Sequence, residues 1–565
     1  MEISSRQSLL LLVLLLSTCM LPAQVLHQPQ PPTHQDSLRG SINEERSWWN
    51  VLHYNITVEP DYARKTISGR TIILFKVLAP ANAMQIDLQE PMTIDSITLG
   101  GTSIPFQREG NVYHLHFKDR LPVGSQQAIS IAFAGKPREA IRPPWDGGWI
   151  WKQDANGQPW MSVACQGLGA SVWYPCKDHQ SDEPDSGAVL TMLVPDTLVA
   201  VGNGRLQQHK DLGNGKSAWT WQVVNPINNY NIIPYIGKYV NFSEVFNGLK
   251  GPLDCNYWVL DYNLAKAKEQ FKQVPLMLRC FEYWFGPYPF YEDGYKLVES
   301  PHLGMEHQSA VAYGNKYQNG YLGRDLSGSG WGLKWDFIIV HESGHEWFAN
   351  NITSKDLADM WLHEGFTNYS ETLFTECQYG KEAANEYLIG SRKNIANDIP
   401  VIGTYGINRE GSGDMYCKGG SLLHTIRQVI NNDSVFVNIL RGLNKTFYHQ
   451  TVTTQQVENY ISRQGHVDLS KVFDQYLRTT QVPVFEYKIE RNTLQYRYTN
   501  CINGFNLPIK LLAGKEYWLK PGTQWQSMKL PAGIDEKEIK VDRNFYVKVQ
   551  QTAGSSRMAP QKKLP

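Results

Sequence analysis

Two histidines lie four residues apart in an apolar stretch of the chain. The stretch covers residues 337–350, reads FIIVHESGHEWFAN and contains His341 and His345. Residues four apart on a helix share a face, so the two imidazoles can bind one divalent metal ion together. Glu342 follows the first histidine and is placed to take a proton from a water at that metal. This is the HExxH pattern.

The surroundings of this pair argue against an ordinary surface helix. HExxH also occurs by chance, because two histidines on a solvated helix can share the spacing. Here the flanking side chains of residues 337–340 and 347–348 are too apolar for a solvated face. A second predicted helix carries Glu364, nineteen residues after His345. A catalytic zinc ion needs three protein ligands and an open position, and Glu364 would complete a set with His341 and His345.

The combined pattern resembles a known enzyme family. HExxH followed by the segment WLHEGFTNYSE is similar to the gluzincin aminopeptidases, the family of aminopeptidase N and leukotriene hydrolase. The resemblance covers about residues 48–550. It implies a hydrolase with one Zn2+ ion per chain that removes the first residue from peptides with a free amino terminus. It also implies that Glu342 is the general base.

A second motif of that family occurs upstream, at residues 303–307. The segment reads LGMEH and looks like the exopeptidase motif GxMEN, from which it departs at its first and last positions. In the family this segment is an edge strand along which the substrate lies. The resemblance therefore implies that Gly304, Met305 and Glu306 bind substrate, with Glu306 holding the free α-amine. A bland alternative stays open, in which Glu306 pairs with a nearby Arg or Lys.

Two other segments resemble parts of the family's site. Tyr416, followed by Cys-Lys-Gly-Gly, resembles the segment that carries the catalytic tyrosine. A neutral phenol can donate a hydrogen bond to an oxyanion as its charge develops. Residues 164–178, ACQGLGASVWYPCKD, resemble the loop by which the amino-terminal β domain reaches the active site. Gln166 in this loop is either a substrate-binding residue or a turn residue.

Other functions stay open from the sequence alone. The same zinc site could serve an endopeptidase or an epoxide hydrolase. A catalytically silent protein could use an aromatic-rich cleft to bind peptides, but it would not need metal ligands, base and tyrosine together. A purely structural zinc site would favour four protein ligands, usually with cysteine.

Length and patterning predict a multidomain α+β chain. Among 565 residues, 54 basic side chains balance 54 acidic ones, so nothing points to a nucleic-acid partner. Period-two patterning predicts an amino-terminal antiparallel β domain over residues 46–240 and a small carboxy-terminal β-sandwich over residues 483–550. The pattern of residues 241–482 between them is mainly helical, and the resemblance implies that they form a thermolysin-like zinc peptidase domain. Larger family members continue into a long helical domain, which we expect this chain to lack, and residues 551–565 should be disordered.

The amino terminus reads as an export signal. Residues 1–23 combine a short positive segment, an aliphatic run and a small residue before a polar stretch, as in a secretory signal peptide. Alternatively, a lipoprotein box ends at Cys19, which would then carry a lipid anchor. Residues 24–45 are rich in Pro and Gln and are expected to be a linker. We therefore expect a periplasmic, secreted or envelope-anchored protein. The seven other cysteines are odd in number, and no particular disulfide is predicted.

Overall fold

The structure, a computed structural model, describes residues 31–531 and 538–552. The predicted signal peptide with Cys19, and all but the first two residues of the predicted disordered tail, lie outside these residues. None of the helices in the described part of the chain has both the length and the apolar character that a bilayer-spanning segment needs.

The amino-terminal region is built from β-strands. In chain order its strands are β1 (Trp49–Asp61), β2 (Thr66–Val77), β3 (Ala83–Asp87), β4 (Thr93–Leu99), β5 (Thr102–Ser103), β6 (Phe106–Glu109), β7 (Val112–His116), β8 (Gln126–Gly135), β9 (Gly148–Gln153), β10 (Pro159–Ala164), β11 (Ala188–Pro195), β12 (Val199–Val201), β13 (Arg205–Gly213), β14 (Lys216–Val223) and β15 (Tyr235–Gly237). The largest sheet has the order β13-β14-β11-β1-β2-β8-β4-β5. Its pairs are antiparallel except β1 with β11. Residues along β1 and β2 tend to alternate between more and less buried, as the period-two pattern predicts.

The segment predicted to be a linker is folded from residue 31 onward. It contains helices α1 (His34–Gly40) and α2 (Glu44–Ser47). Arg39 is buried, forms an ion pair with Asp178 at 3.3 Å and donates a hydrogen bond to the Leu168 carbonyl. The linker prediction is therefore wrong for residues 31–45. The linker prediction relied on the scarcity of apolar residues. Arg39, however, is buried because polar partners compensate its charge, and composition does not reveal such partners.

The middle region places helices against a mixed sheet. Its helices are α3 (Leu264–Gln270), α4 (Val274–Phe285), α5 (Phe337–Gly344), α6 (Trp361–Tyr379), α7 (Lys381–Ser391), α8 (Cys417–Ile430), α9 (Asp433–Thr446), α10 (Thr454–Gln464) and α11 (Ser470–Arg478). Its strands are β16 (Tyr239–Gly248), β17 (Gly251–Leu260), β18 (Tyr295–Glu299), β19 (Gly304–Met305), β20 (Val311–Tyr313), β21 (Ile352–Ser354) and β22 (Gln450–Val452). The sheet order β16-β17-β18-β20-β19 leaves β19 at one edge.

The carboxy-terminal strands form two small sheets. They are β23 (Val484–Glu490), β24 (Thr493–Thr499), β25 (Ile509–Ala513), β26 (Lys515–Leu519), β27 (Gln526–Lys529), β28 (Lys540–Val541) and β29 (Lys548–Gln551). Their buried side chains, such as Phe485 and Leu511, join one continuous hydrophobic core with those of the helical region. The amino-terminal strands have a separate core. A β region, a mainly helical region and a second β region thus follow one another, as predicted.

One disulfide joins two helices of the middle region. Cys280 of α4 and Cys377 of α6 are bonded across 97 residues of sequence. The sequence predicts no particular bridge, because cysteine spacing does not reveal which helices pack together. The bond ties α4 to the helix that carries Glu364.

Candidate zinc site and active-site cleft

Helix α5 positions the first histidine and the glutamate beside it. The helix begins after Asp336, whose carboxylate accepts the backbone N–H groups of Ile338 and Ile339 at 3.0 and 3.3 Å. It ends at Gly344, and the following turn leaves helical backbone angles, with Ala349 at φ 140°. The apolar run to residue 350 is therefore not one helix. The irregular turn matters because it removes backbone carbonyls from the helical hydrogen-bond ladder.

Both histidines are held by their outer ring nitrogens. Nδ1 of His341 lies 2.7 Å from a carboxylate oxygen of Glu371. Nδ1 of His345 lies 3.0 Å from the Phe348 carbonyl oxygen and 3.1 Å from the Thr367 hydroxyl. An imidazole that donates from Nδ1 keeps the lone pair of Nε2 for a metal ion. The Phe348 carbonyl is one that the irregular turn makes available.

The inner nitrogens of the two histidines converge on Glu364 of α6. Nε2 of His341 and Nε2 of His345 lie 3.6 and 3.3 Å from Oε2 of Glu364. Ligand atoms about 2.1 Å from a tetrahedral ion lie about 3.4 Å apart. Within the described residues Oε2 of Glu364 is buried and has no hydrogen-bond partner, which is costly unless another group compensates it. Two imidazoles and one carboxylate are a catalytic zinc set, so these residues fit a zinc ion.

Two further carboxylates lie beside this set. Ligand atoms of Glu306, Glu342 and His345 lie within 4.8 Å of one another, and all three residues are buried. Burial raises the pKa of Glu342 to about 7, against the opposing effect of the two histidines. Gly304 faces this carboxylate, because a Cβ atom there would come within 2.7 Å of Oε1 of Glu342. The glycine leaves room for the predicted base.

Glu306 follows β19 and is held without a cationic side chain. The Tyr230 hydroxyl donates to its carboxylate at 3.1 Å, and the Asn350 amide donates to its backbone carbonyl at 2.8 Å. Among the residues the structure describes, no lysine or arginine forms an ion pair with it. The alternative of a local Arg or Lys partner therefore finds no support. Met305 is also buried, and the outer edge of β19 is free to pair with a substrate backbone.

Tyr416 and Gln166 both lie next to the predicted metal ligands. The Tyr416 ring centroid lies 6.0 Å from that of His341. Burial, followed by the nearby Glu364 carboxylate, raises the pKa of this phenol well above 10, so it remains a donor. Nε2 of Gln166 donates to Oε1 of Glu364 at 3.3 Å. The structure thus brings the predicted metal ligands, Glu342, Glu306, Gly304, Tyr416 and Gln166 together at one site, with Met305 between Gly304 and Glu306 in the chain.

Family comparisons agree with this geometry. A family model described as "Peptidase family M1 domain" matches residues 277–476, and one described as "Peptidase M1 N-terminal domain" matches residues 50–230. The two matches together cover more than half of the chain. The chain belongs to peptidase family M1. The predicted resemblance to aminopeptidase N and leukotriene hydrolase, the fold class and the family's metal, zinc, are thereby confirmed.

Relatives of this M1 chain are distant in sequence. Leukotriene A-4 hydrolase of Xenopus laevis is 21% identical over 440 residues, which cover 73% of this chain and 68% of that protein. Aminopeptidase N of Lactococcus lactis subsp. lactis is 22% identical over 471 residues, covering 78% of this chain and 52% of that protein. The chain spans only about half the length of several aminopeptidases that it matches.

A solved structure shares the fold. An M1 zinc metallopeptidase variant of Deinococcus radiodurans, bound to a Tyr-Ser-Ala substrate, superposes with a TM-score of 0.65 at 20% identity. The match covers 77% of this chain and 95% of that one.

The M1 site contains three side chains that sequence reasoning missed. Glu371 lies seven residues after Glu364, two turns along α6, so helical spacing could have found it. Tyr230 comes from the amino-terminal region and carries no local signal. Glu410 lies in the loop before Tyr416, where burial, then Glu364 and Glu306, raises its pKa to about 7.

Proposed function

We propose that this M1 chain is an exported zinc-dependent aminopeptidase that removes the first residue from peptides. The observation that carries the proposal is the setting of Glu306. Its carboxylate is buried, forms no ion pair with a lysine or arginine among the described residues, and lies with Glu342 and His345 in one group of ligand atoms within 4.8 Å. A buried carboxylate favours a ligand that brings a positive charge. The α-amine of a peptide is such a group, and its capture limits cleavage to the first peptide bond.

The metal ligands in this proposal are His341, His345 and Glu364. When bound there, zinc supplies Lewis acidity, which polarises a carbonyl group and lowers the pKa of water. Glu371 and the Phe348 carbonyl hold the outer nitrogens of the two histidines and so keep Nε2 directed at the metal position.

Glu342 acts as the proton carrier. Its carboxylate takes a proton from the attacking water and returns it to the amine that leaves. Tyr416 donates a hydrogen bond to the carbonyl oxygen as negative charge develops on it. Gly304 and Met305 offer the backbone of the edge strand β19, and Gln166 adds a polar contact from the amino-terminal region.

The first experiment compares peptides that differ only in a free or acetylated amino terminus, with and without a zinc chelator. We expect cleavage of the free peptide alone, abolished by the chelator and restored by zinc. Cleavage of both peptides would instead favour an endopeptidase. If the zinc-loaded protein cleaved neither peptide, a lipid-epoxide substrate would test for an epoxide hydrolase. If that substrate were not hydrolysed either, a catalytically silent peptide-binding protein would be the favoured alternative.

Two variants separate the proposed amine anchor, Glu306, from the proposed general base, Glu342. Glu306→Gln should lower kcat/KM for free-amine peptides by about 100-fold, since a buried charge pair is lost. Glu342→Gln should lower kcat for every substrate while zinc content stays at one per chain. An unchanged kcat/KM for free-amine peptides in Glu306→Gln would refute the amine-anchor role.

Export is supported by the bond between Cys280 and Cys377, because disulfides persist in oxidising compartments. The mature protein would begin near residue 24, or at a lipidated Cys19. Mass spectrometry of the amino terminus of protein recovered from cell fractions distinguishes these forms. A full-length cytoplasmic protein that retains residue 1 would refute export.

A further inference from the structure

A pocket of about 560 Å³ lies at the start of the edge strand. Leu303, the residue before β19, lines it, and so does Gly314, which follows β20. The N–H group of Gly314 donates to the Leu303 carbonyl at 2.7 Å, so the pocket wall is fixed to the strand. The volume falls within the range of small-molecule and peptide sites.

The order of residues along this strand sets which part of a peptide meets the pocket. On the proposed function, Glu306 holds the amine of the substrate, and Gly304 faces the base Glu342. Leu303 is the next residue in the same direction. A peptide anchored at Glu306 with its scissile bond at Glu342 therefore continues past Leu303. The residues after the scissile bond would then be directed toward the pocket that Leu303 lines.

The charge that the pocket presents to solvent is positive. Three exposed lysines line it, and none of them forms an ion pair within the described residues: Lys152, Lys266 and Lys316. The two acids of the lining are buried. Oδ1 of Asp154 accepts two backbone N–H groups of its own turn, while its Oδ2 has no hydrogen-bond partner among the residues that the structure describes. Glu299 accepts the N–H group of Leu260 at 2.8 Å and the Asn263 amide at 2.7 Å. A carboxylate entering the pocket would meet the lysines.

A loop that Asp146 holds by hydrogen bonds adds an aromatic surface to the same pocket. Trp145 lines the pocket and is 70% exposed, and Ile141 on the same loop is 85% exposed. The loop is held by Asp146, whose carboxylate accepts the N–H groups of Ile141 and Arg142 at 2.7 and 2.9 Å. An exposed tryptophan on a fixed loop is typical of ligand-binding surfaces rather than of free protein surface.

We propose that this pocket binds the residues that follow the scissile bond and recognises a carboxylate among them. The carboxylate is either the free carboxyl terminus of a short peptide or an acidic side chain in a longer one. The preferred substrates are then oligopeptides with such a group, and aminoacyl derivatives without a following peptide make no use of the pocket.

The test uses the zinc-loaded full chain and peptides of two to five residues, each as the free acid and as the amide. A parallel set of amides carries Asp or Glu after the scissile bond. We expect the carboxylate-bearing peptides to have a KM about threefold to tenfold lower than the neutral amides, with similar kcat. The difference should shrink at high salt, because the lysines are exposed.

Variants of the lysines decide whether the pocket is responsible. Lys266→Gln with Lys316→Gln should remove most of the difference between acids and amides, and Lys316→Arg should retain it. Lys152 is left for a separate variant, because its Nζ donates to the Pro301 carbonyl at 2.7 Å and holds the wall. Lys210→Gln is the matched control, since this exposed lysine of β13 lies outside the pocket.

An aminoacyl anilide separates this inference from the proposed function. It has no residues beyond the scissile bond, so the lysine variants should hydrolyse it like the original chain. The inference would be overturned if acids and amides had equal KM values, or if Lys210→Gln changed KM as much as the pocket-lysine variants do. Continued hydrolysis of the anilide would show that the proposed function still holds. If neither the anilide nor any of the peptides were cleaved, the proposed function would fail. In that case, tryptophan fluorescence would be used to measure binding of the same peptides, and the dissociation constants would show whether the pocket prefers acids to amides.

Discussion

Replacing Glu371 by Gln should weaken zinc binding without unfolding the chain. Glu371 accepts hydrogen bonds from Nδ1 of His341 at 2.7 Å, the Tyr387 hydroxyl at 2.6 Å and the Asn368 amide at 3.2 Å. Glutamine has nearly the same shape, but it is neutral and replaces one oxygen with an NH2 group. One of the strong donors, His341 or Tyr387, then faces a donor or a weaker acceptor.

The size of the effect follows from these contacts. A buried hydrogen bond to a charged group contributes about 1.5–3 kcal/mol. A metal-binding histidine that loses such a hydrogen bond is expected to bind its metal about 10-fold to 100-fold more weakly. Tyr387→Phe removes one neutral donor to the same carboxylate and leaves its charge in place. We expect that variant to lose less than about 10-fold in zinc affinity.

Competition with a chelator of known affinity gives the zinc dissociation constant of each variant. Far-ultraviolet circular dichroism confirms that the chain remains folded. At saturating zinc, Glu371→Gln should recover most of its kcat, because its main defect is in metal retention. If its zinc affinity stayed within twofold of the original chain, or fell no further than that of Tyr387→Phe, the assigned role of Glu371 would be refuted.

The other predictions concern catalysis, pH and the disulfide. Tyr416→Phe should lower kcat about 100-fold to 1,000-fold with little change in KM, because its hydrogen bond strengthens only as the oxyanion forms; an equal rise in KM would contradict this. Burial raises the pKa of Glu183 from 4.5 to about 8. Between these values the folded chain keeps a proton that the unfolded chain loses, so stability falls as pH rises, by at most about 1.4 kcal/mol per pH unit. Glu183→Gln should flatten that slope in urea titrations at pH 5 and pH 8, whereas an unchanged slope would contradict the raised pKa. Replacing Cys280 and Cys377 by Ala should lower unfolding stability by about 2–5 kcal/mol and abolish sensitivity to reductant, and a stability equal to that of the oxidised chain would speak against the bond.

Local spacing explains what could be predicted of the site. Residues four apart on a helix share a face whatever the rest of the fold, so the pairing of His341 and His345 can be predicted from their spacing alone. The placement of Glu364, Glu306 and Tyr416 in the same cleft came from family resemblance, because no local rule brings such distant segments together.

The parts that could not be predicted depend on long-range packing. Tyr230 donates to Glu306 across 76 residues of sequence, and the Cys280–Cys377 bond spans 97. Arg39 was hidden in a polar segment whose composition resembles that of a linker. In each case the partner lies on another element, and the sequence around one residue does not predict its contact with the other.

The two departures from the exopeptidase motif are compatible with the site because each falls where the structure has room or a partner for it. Leu303 replaces the family's glycine and lines the pocket at the start of β19. His307 replaces the asparagine, is buried, and bonds through Nδ1 to the Tyr235 hydroxyl at 2.5 Å. The variable position between them holds Gly304, where any Cβ would lie 2.7 Å from the Glu342 carboxylate. In this chain the steric constraint on the strand therefore falls on the variable position of the motif, next to the base, and its first position is free to shape the pocket.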